Sequence, residues 1–137
     1  MKKPDVRGFF DLVTATWSYV VYDAQGKDRR CAVIDTVLDY DIHAGRTKTT
    51  SADRVIDFVR AKELKVEWIL ETHIHADHLT GSAYIKEKLG GKTAISKHIL
   101  KVLETWEPIF HNESDTPLNG YQFDHTFDND EKYNQNI

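Results

Sequence analysis

The chain has 137 residues, which fits one domain. Charged residues make up 29% and apolar residues 40%, so we expect a folded globular chain rather than a disordered one. The formal net charge of −4 argues against a general binder of nucleic acids or membrane surfaces, because no basic excess is present to neutralise phosphates.

No apolar stretch approaches the roughly 20 residues that a membrane span needs, and no apolar segment follows the N-terminal lysines as in a signal peptide. We therefore expect a cytoplasmic protein. Cys31 is the only cysteine, which excludes an intrachain disulfide and a thiolate zinc cluster. Its apolar neighbours predict that it is a buried strand residue.

The first half of the chain predicts two antiparallel strands followed by a helix. The strands are predicted at 16–22 and 30–35, with a polar hairpin connection between them. A polar loop is predicted from Thr36 to Thr50. Ser51 is predicted to cap the helix, which runs to about Lys62. Its apolar face follows the i, i+3, i+4, i+7 pattern with Ala52, Val55, Ile56 and Val59.

The second half alternates strands and helices, so the element order predicts an α/β protein (α+β mixed sheet) with helices packed on one side. We expect a single domain over 1–137 with an ordered core of about 9–110 and a polar tail over 111–137. The predicted elements are a strand at 66–72, a helix at 81–89 that ends at Gly90-Gly91, a strand at 93–96, a helix at 97–104 and a strand around Tyr121 to Phe127.

A histidine cluster, His73-Ile74-His75-Ala76-Asp77-His78, follows the strand at 66–72 directly. In an extended stretch His73 and His75 point to the same side and can meet one metal ion, while the following turn can bring Asp77 and His78 nearby. A polar surface turn is the alternative, but four potential ligands at a strand's carboxyl end argue against it. The cluster predicts a site for one or two metals.

The sequence around this cluster resembles a known family. His-x-His-x-Asp-His followed by Leu79-Thr80-Gly81 resembles the signature of the metallo-β-lactamase superfamily. Within that superfamily, residues 71–79 and 84–91 look most like the persulfide dioxygenase branch, which is related to the glyoxalase II thioester hydrolases. Residues 33–41 also resemble that branch, although proline commonly stands in place of Thr36. The resemblance implies the N-terminal half of the αββα sandwich.

The resemblance also implies roles for single residues. In persulfide dioxygenases a mononuclear non-haem iron(II) is held by two histidines and a carboxylate, and the first histidine matches His73. His75, Asp77 and His78 would then orient ligands and substrate, with Asp77 and His78 as the catalytic candidates. In the hydrolases the same motif binds two zinc ions, with His73 and His75 on one and Asp77 and His78 on the other. Asp35 matches an acidic position near the metal-site loops, although a plain strand-end carboxylate is an equal alternative.

Two segments of the family pattern are not found in this sequence. The family's second histidine lies in a downstream Gly-His-Thr segment and its carboxylate in a later Gly-Asp segment, but neither occurs after Gly91. The resemblance therefore implies a truncated form with an incomplete iron site and impaired or no activity. His111 and His125 are conceivable substitute ligands, although their spacing does not recommend them.

Three functions stay open at this point. The leading one is a persulfide dioxygenase that oxidises glutathione persulfide to sulfite with iron(II). The alternatives are a glyoxalase II-like metallo-hydrolase of thioesters with one or two zinc ions, and a non-catalytic fragment with an incomplete metal site. We expect a small-molecule thiol or thioester as partner, such as a glutathione derivative. We also expect a homo-oligomer or another association through the uncovered sheet face.

Overall fold

The computed structural model describes residues 3–110 and 118–131. Within these residues the chain forms a six-stranded sheet, a three-stranded sheet and three helices. The elements are β1 (Asp5–Asp11), β2 (Thr16–Tyr22), β3 (Arg30–Ile34), β4 (Val37–Asp41), β5 (Arg46–Lys48), α1 (Thr50–Ala61), β6 (Lys65–Leu70), β7 (Leu79–Thr80), α2 (Ser82–Leu89), β8 (Lys92–Ser96), α3 (Ile99–Phe110) and β9 (His125–Phe127).

The large sheet is mixed, as predicted, with the strand order β1-β2-β3-β6-β8-β9. Strands β1, β2 and β3 pair antiparallel, whereas β3, β6, β8 and β9 run parallel. Ile34 and Leu70 are partners at the carboxyl ends of β3 and β6. Because parallel strands end at one edge of a sheet, the residues that follow these two strands, Asp35 and Glu71, lie side by side.

The hydrophobic core lies between the large sheet and helices α1 and α2. The predicted apolar face of α1 is confirmed, since all four of its residues are at most 3% exposed. Burying one valine or isoleucine contributes roughly 1.5–3 kcal/mol to the stability of the fold, so this face accounts for much of the free energy with which α1 packs on the sheet. Cys31 lies in the same core as predicted, and burial raises the pKa of its thiol to about 12. Cys31 and the apolar face of α1 share this hydrophobic core with Phe9, Val20, Val33, Val66, Ile69 and Ile85.

The expectation that two antiparallel strands open the fold is wrong, because β1 precedes them. This strand pairs with β2 along its whole length. Its glycine and its exposed first residues conceal the pattern of a strand. A Cβ atom at Gly8 would lie 3.0 Å from the Trp17 ring, so any larger residue here would press on this ring of the neighbouring strand.

The predicted loop from Thr36 to Thr50 is also wrong, because it contains strands β4 and β5. Strand β4 pairs with β5 and, on its other side, with the two-residue strand β7. All three residues of β5 are exposed, so this strand shows no alternation of apolar and polar residues. The described residues therefore form a small second sheet of three strands, in the order β5-β4-β7.

Helix α1 is capped differently from the prediction. Thr49 is the N-cap residue and makes no capping side-chain hydrogen bond, whereas Ser51 lies inside the helix. The backbone N–H and the hydroxyl of Ser51 donate to the carboxylate of Asp39 at 2.8 and 2.6 Å. A carboxylate on β4 thus satisfies a free N–H of the first turn and interacts favourably with the helix dipole.

The last two elements differ from the prediction mainly in length. Helix α3 begins at Ile99 and continues to Phe110 with Pro108 inside it, rather than covering 97–104. Strand β9 occupies only the end of the segment predicted around Tyr121 to Phe127. Among residues 3–110 and 118–131, no helix is long and apolar enough to cross a membrane.

Candidate metal centre

The histidine cluster lies in the loop between β6 and β7, at the carboxyl edge of the large sheet. Backbone hydrogen bonds fix the two strand ends that flank it: Asp35 donates to the Leu70 carbonyl at 2.9 Å, and Glu71 donates to the Ala94 carbonyl at 3.0 Å. Asp35 has a left-handed φ of 50°, which is unfavourable for a residue other than glycine. The Ser18 hydroxyl donates to its carbonyl at 2.7 Å and helps to hold this conformation.

The loop brings the three predicted histidine rings close together, but it groups the donor atoms of only three of the four predicted ligands, His75, Asp77 and His78. The ring centres of His73 and His75 are 4.3 Å apart, and those of His75 and His78 are 4.2 Å apart. One donor atom each from His75, Asp77 and His78 lie within 4.8 Å of one another. Since donors about 2.1 Å from a tetrahedral ion lie roughly 3.4 Å from one another, the three donor atoms would have to move closer by up to about 1.4 Å to share one ion.

Hydrogen bonds determine which nitrogen of His73 carries the proton. The Thr72 hydroxyl lies 2.7 Å from Asp35 Oδ2 and 2.8 Å from His73 Nδ1. A hydroxyl has one hydrogen, and Thr72 gives it to the carboxylate oxygen, which accepts only. His73 Nδ1–H must therefore donate to Thr72, so the lone pair available to a metal is on Nε2.

His75 is held in the opposite way. Its Nε2 lies 3.0 Å from Asp35 Oδ1 and 3.0 Å from Glu71 Oε2. Carboxylate oxygens accept hydrogen bonds, so Nε2 carries the hydrogen and Nδ1 carries the lone pair. This arrangement matches metal-binding histidines in general, whose second nitrogen donates to a carboxylate or carbonyl.

His78 presents an unpartnered buried nitrogen. Its Nδ1 donates to the Leu79 carbonyl at 2.9 Å, which leaves the lone pair on Nε2. This Nε2 is buried and has no hydrogen-bond partner among the described residues. Because a buried polar atom without a partner is costly, a metal ion is a fitting partner for it.

Asp77 is the exposed member of the group. Its Oδ2 accepts a hydrogen bond from the Thr16 hydroxyl at 2.9 Å, and its Oδ1 lies 3.9 Å from His75 Nδ1. The pKa of this carboxyl is lowered, first by the hydrogen bond from Thr16 and then by a backbone N–H, with smaller contributions from His78 and His75. Asp77 is therefore ready to act as an anionic ligand at neutral pH.

Several residues of this site were missed in the sequence reading. Glu71 is 7% exposed and contacts His75, while Thr72 joins Asp35 to His73. An acidic residue at the end of a buried strand, such as Glu71, could have been predicted from the sequence as a site residue. The contact from Thr16 could not have been predicted, because it depends on the packing of β2 beside the histidine loop.

The other histidines of the described chain lie away from the cluster. His43 and His98 are exposed. His125 packs against Trp68 and Phe127, and its Nε2 lies 2.9 Å from Glu131. His111 lies outside the described residues.

The donor set fits a bound metal. Two imidazole nitrogens, from His75 and His78, and the carboxylate of Asp77 form the donor group, and His73 is not part of it. Imidazole and carboxylate are ligand types that zinc and iron(II) share, so they do not separate these two metals. The buried Nε2 of His78 without a partner is the independent observation in favour of a metal. That these residues bind one remains a prediction.

A mixed α/β sheet with a His-x-His-x-Asp-His loop at its carboxyl edge defines an α/β protein with a candidate metal site. Residues 12–132 match the sequence profile of the metallo-beta-lactamase superfamily, and the chain belongs to that family. Both the resemblance inferred from the histidine motif and the predicted fold class are confirmed.

Among its relatives, a beta-lactamase hydrolase-like protein from Xylella fastidiosa is 44% identical over 98% of this chain and 30% of the relative. Glyoxylase B2 from Dictyostelium discoideum is 41% identical over 96% of this chain and 44% of its own length. Human mitochondrial persulfide dioxygenase ETHE1 is 29% identical over 63% of this chain and 29% of its own length. The chain thus spans less than half of these relatives.

The solved structures include a similar fold. The crystal structure of ETHE1 from Myxococcus xanthus aligns with a TM-score of 0.53 and 27% sequence identity. This alignment covers 66% of this chain and 34% of the other protein.

Proposed function

We propose that this chain carries the histidine motif of a metal-dependent enzyme that acts on a glutathione-type thiol compound, most like a persulfide dioxygenase that oxidises glutathione persulfide to sulfite. The grouping of donor atoms from His75, Asp77 and His78 after β6, with the His73 ring 4.3 Å from that of His75, supports metal chemistry. The likeness to human persulfide dioxygenase and to the Myxococcus xanthus structure supports the choice of substrate.

In this proposal His73 binds iron(II) through Nε2, which its bond to Thr72 leaves free. Bound iron(II) would supply open coordination positions for the substrate and dioxygen. Asp77 and His78 are the catalytic candidates, because each has a free donor atom beside His75. Their role is to hold the ion or to orient the sulfur end of the substrate.

We further propose that the isolated polypeptide is impaired. A tight iron site needs three protein ligands, and in the persulfide dioxygenase pattern two of them lie in segments that these 137 residues do not contain. A purified chain of this length should therefore oxidise glutathione persulfide slowly or not at all. Turnover at the rate of a full-length relative would contradict this.

A second candidate is a glyoxalase II-like metallo-hydrolase of thioesters with one or two zinc ions. Two observations favour it. The relatives with 41–44% identity carry the names hydrolase-like protein and glyoxylase. In addition, Asp77 and His78 each place a donor atom within 4.8 Å of one of His75, which suits two neighbouring ions, the first held by His73 and His75 and the second by Asp77 and His78.

Reconstitution with one metal at a time tests both candidates, because iron and zinc share ligands and the metal acquired during expression can mislead. The metal-free chain is loaded anaerobically with iron(II) or with zinc, and binding is measured by calorimetry. Each form is then assayed for oxygen uptake and sulfite release with glutathione persulfide, and for hydrolysis of a glutathione thioester. A full-length relative is assayed in parallel.

The expected result is iron binding that is weaker than that of the full-length relative, with slow, persulfide-dependent oxygen uptake, or none where the full-length relative is active. His73→Ala should weaken binding strongly, whereas His43→Ala, which removes an exposed histidine outside the motif, should not. Binding of two zinc ions with thioester hydrolysis would favour the second candidate. If the chain binds neither metal, both candidate functions are wrong and a non-catalytic fragment is the function that remains.

A further inference from the structure

Glu71 is buried against the histidine cluster and is fully engaged. Its side chain is 4% exposed. Its Oε1 accepts hydrogen bonds from the hydroxyls of Thr80 and Ser82, and its Oε2 faces His75 Nε2 at 3.0 Å. A buried carboxylate needs such partners, since desolvation without them is costly. The two hydroxyls thus fix one oxygen and direct the other to His75.

Asp35 alone holds His75 less securely. Its two oxygens already accept hydrogen bonds from Thr72, the backbone N–H to Oδ1 at 2.8 Å and the hydroxyl to Oδ2 at 2.7 Å. His75 shares Oδ1 with that N–H. Among the described contacts, Oε2 of Glu71 accepts only from His75. Both carboxylates can accept the imidazole hydrogen, since each oxygen has two lone pairs, but Oε2 of Glu71 is the acceptor for which no other described donor competes.

We propose that Glu71 is a positioning residue that fixes the orientation and tautomer of His75, so that Nδ1 presents its lone pair to the metal. The inference rests on the proposed metal site and adds a residue to it. Ser82 lies at the start of α2, so Glu71 also ties the position of His75 to the N-terminal end of that helix. Partners of this kind typically change metal affinity by 10–100-fold.

Glu71→Gln is the first test. If Oε1 of glutamine keeps the two hydroxyl bonds, its amide N–H groups face the N–H of His75, and donor meets donor. We expect metal affinity to fall by about 10–100-fold. Glu67→Gln is the matched control, because Glu67 lies on β6 and pairs with Arg30 at 3.3 Å rather than with a histidine. The metal affinity of Glu67→Gln should equal that of the unaltered protein.

The tautomer is measured separately in the metal-free proteins by long-range proton–nitrogen NMR of the histidine rings at constant pH. The unaltered protein and Glu67→Gln should show a single His75 species protonated on Nε2, whereas Glu71→Gln should show a mixture or a shifted equilibrium. An unchanged His75 spectrum in Glu71→Gln would overturn the inference. If the unaltered protein binds no metal, the proposed function fails, while this spectrum still decides the role of Glu71.

A second variant covers the case in which Glu71→Gln does not fold. Thr80→Val with Ser82→Ala keeps the carboxylate but removes the hydroxyls that orient it. We expect the same direction of change in the His75 spectrum and in affinity, with a smaller size. A spectrum and an affinity equal to those of the unaltered protein would also overturn the inference.

Discussion

Thr16 donates its hydroxyl hydrogen to Asp77 Oδ2 at 2.9 Å and so connects the start of β2 to the histidine loop. The bond holds one oxygen of the carboxylate and leaves Oδ1 facing His75 Nδ1 at 3.9 Å. At the scale of single residues, this site is thus defined by its partners as much as by its ligands. His73 and His78 present Nε2 because Thr72 and the Leu79 carbonyl bind their Nδ1 atoms, whereas His75 presents Nδ1 because Glu71 binds its Nε2.

Thr16→Val should therefore weaken metal binding without unfolding the protein. Valine keeps the shape of threonine and removes only the hydroxyl. Water weakens a hydrogen bond to a charged group in an exposed position, so we expect metal affinity to fall by only about a few-fold. Calorimetric titration with zinc measures it. Thr16→Ser retains the hydroxyl and should bind like the unaltered protein, and equal affinities for all three proteins would refute the role of Thr16.

Asp124 joins three elements at the far edge of the large sheet. Its carboxylate accepts hydrogen bonds from Lys86 of α2 at 2.6 and 2.8 Å, and from the backbone N–H and the hydroxyl of Thr93 of β8 at 2.8 and 3.0 Å. The residue itself directly precedes β9. These bonds, Lys86 first, lower the pKa of Asp124 to about 2 from an ordinary value of 3.8.

This lowered pKa predicts a pH-dependent contribution to stability. A group whose pKa is lower in the folded state stabilises that state above its unfolded pKa, and the contribution is lost as the pH falls through the folded value. Asp124→Asn should lower the free energy of unfolding at pH 5–7 by no more than about 1 kcal/mol, because water screens this partly exposed group. The difference should disappear between about pH 4 and pH 2. Urea unfolding of both proteins over this range measures it, and a difference constant down to pH 2 would contradict it.

Elements whose residues show their own periodicity could be predicted from the sequence, and elements defined by distant partners could not. Helix α1 was predicted because its apolar spacing reports the buried face directly. Strands β4 and β5 were missed because their pairing, rather than their composition, makes them strands. The cap of α1 was misplaced for the same reason, since the carboxylate that binds Ser51 comes from β4.

The same division holds for the site. The motif predicted which histidines converge, because ligand types and their spacing are local features. It could not predict the nitrogen that each ring presents, since that depends on residues such as Glu71 and Thr16, which the fold brings to the cluster. Asp35 was flagged in advance as a candidate for orienting ligands, and it contacts both Thr72 and His75.

At the scale of the whole molecule, the face of the large sheet opposite α1 and α2 carries aromatic side chains. Phe9 and Val20 point to the core, so their neighbours along the strands point to the other face. There Trp17 packs against Phe10 at 5.0 Å and stacks on Tyr19 at 6.2 Å between ring centres. Trp17 is nevertheless 49% exposed. An apolar surface that is only partly covered favours association.

We therefore predict that the protein self-associates through this face at micromolar concentrations. Trp17→Glu should place a charge at the centre of the contact and weaken association by about tenfold or more, as loss of a central tryptophan commonly does. Trp106→Glu is the matched control, because Trp106 is 50% exposed but lies on α3. Light scattering over a concentration series measures both. A stable monomer in the unaltered protein, or a larger effect of the α3 substitution, would show that the aromatic face is not the contact.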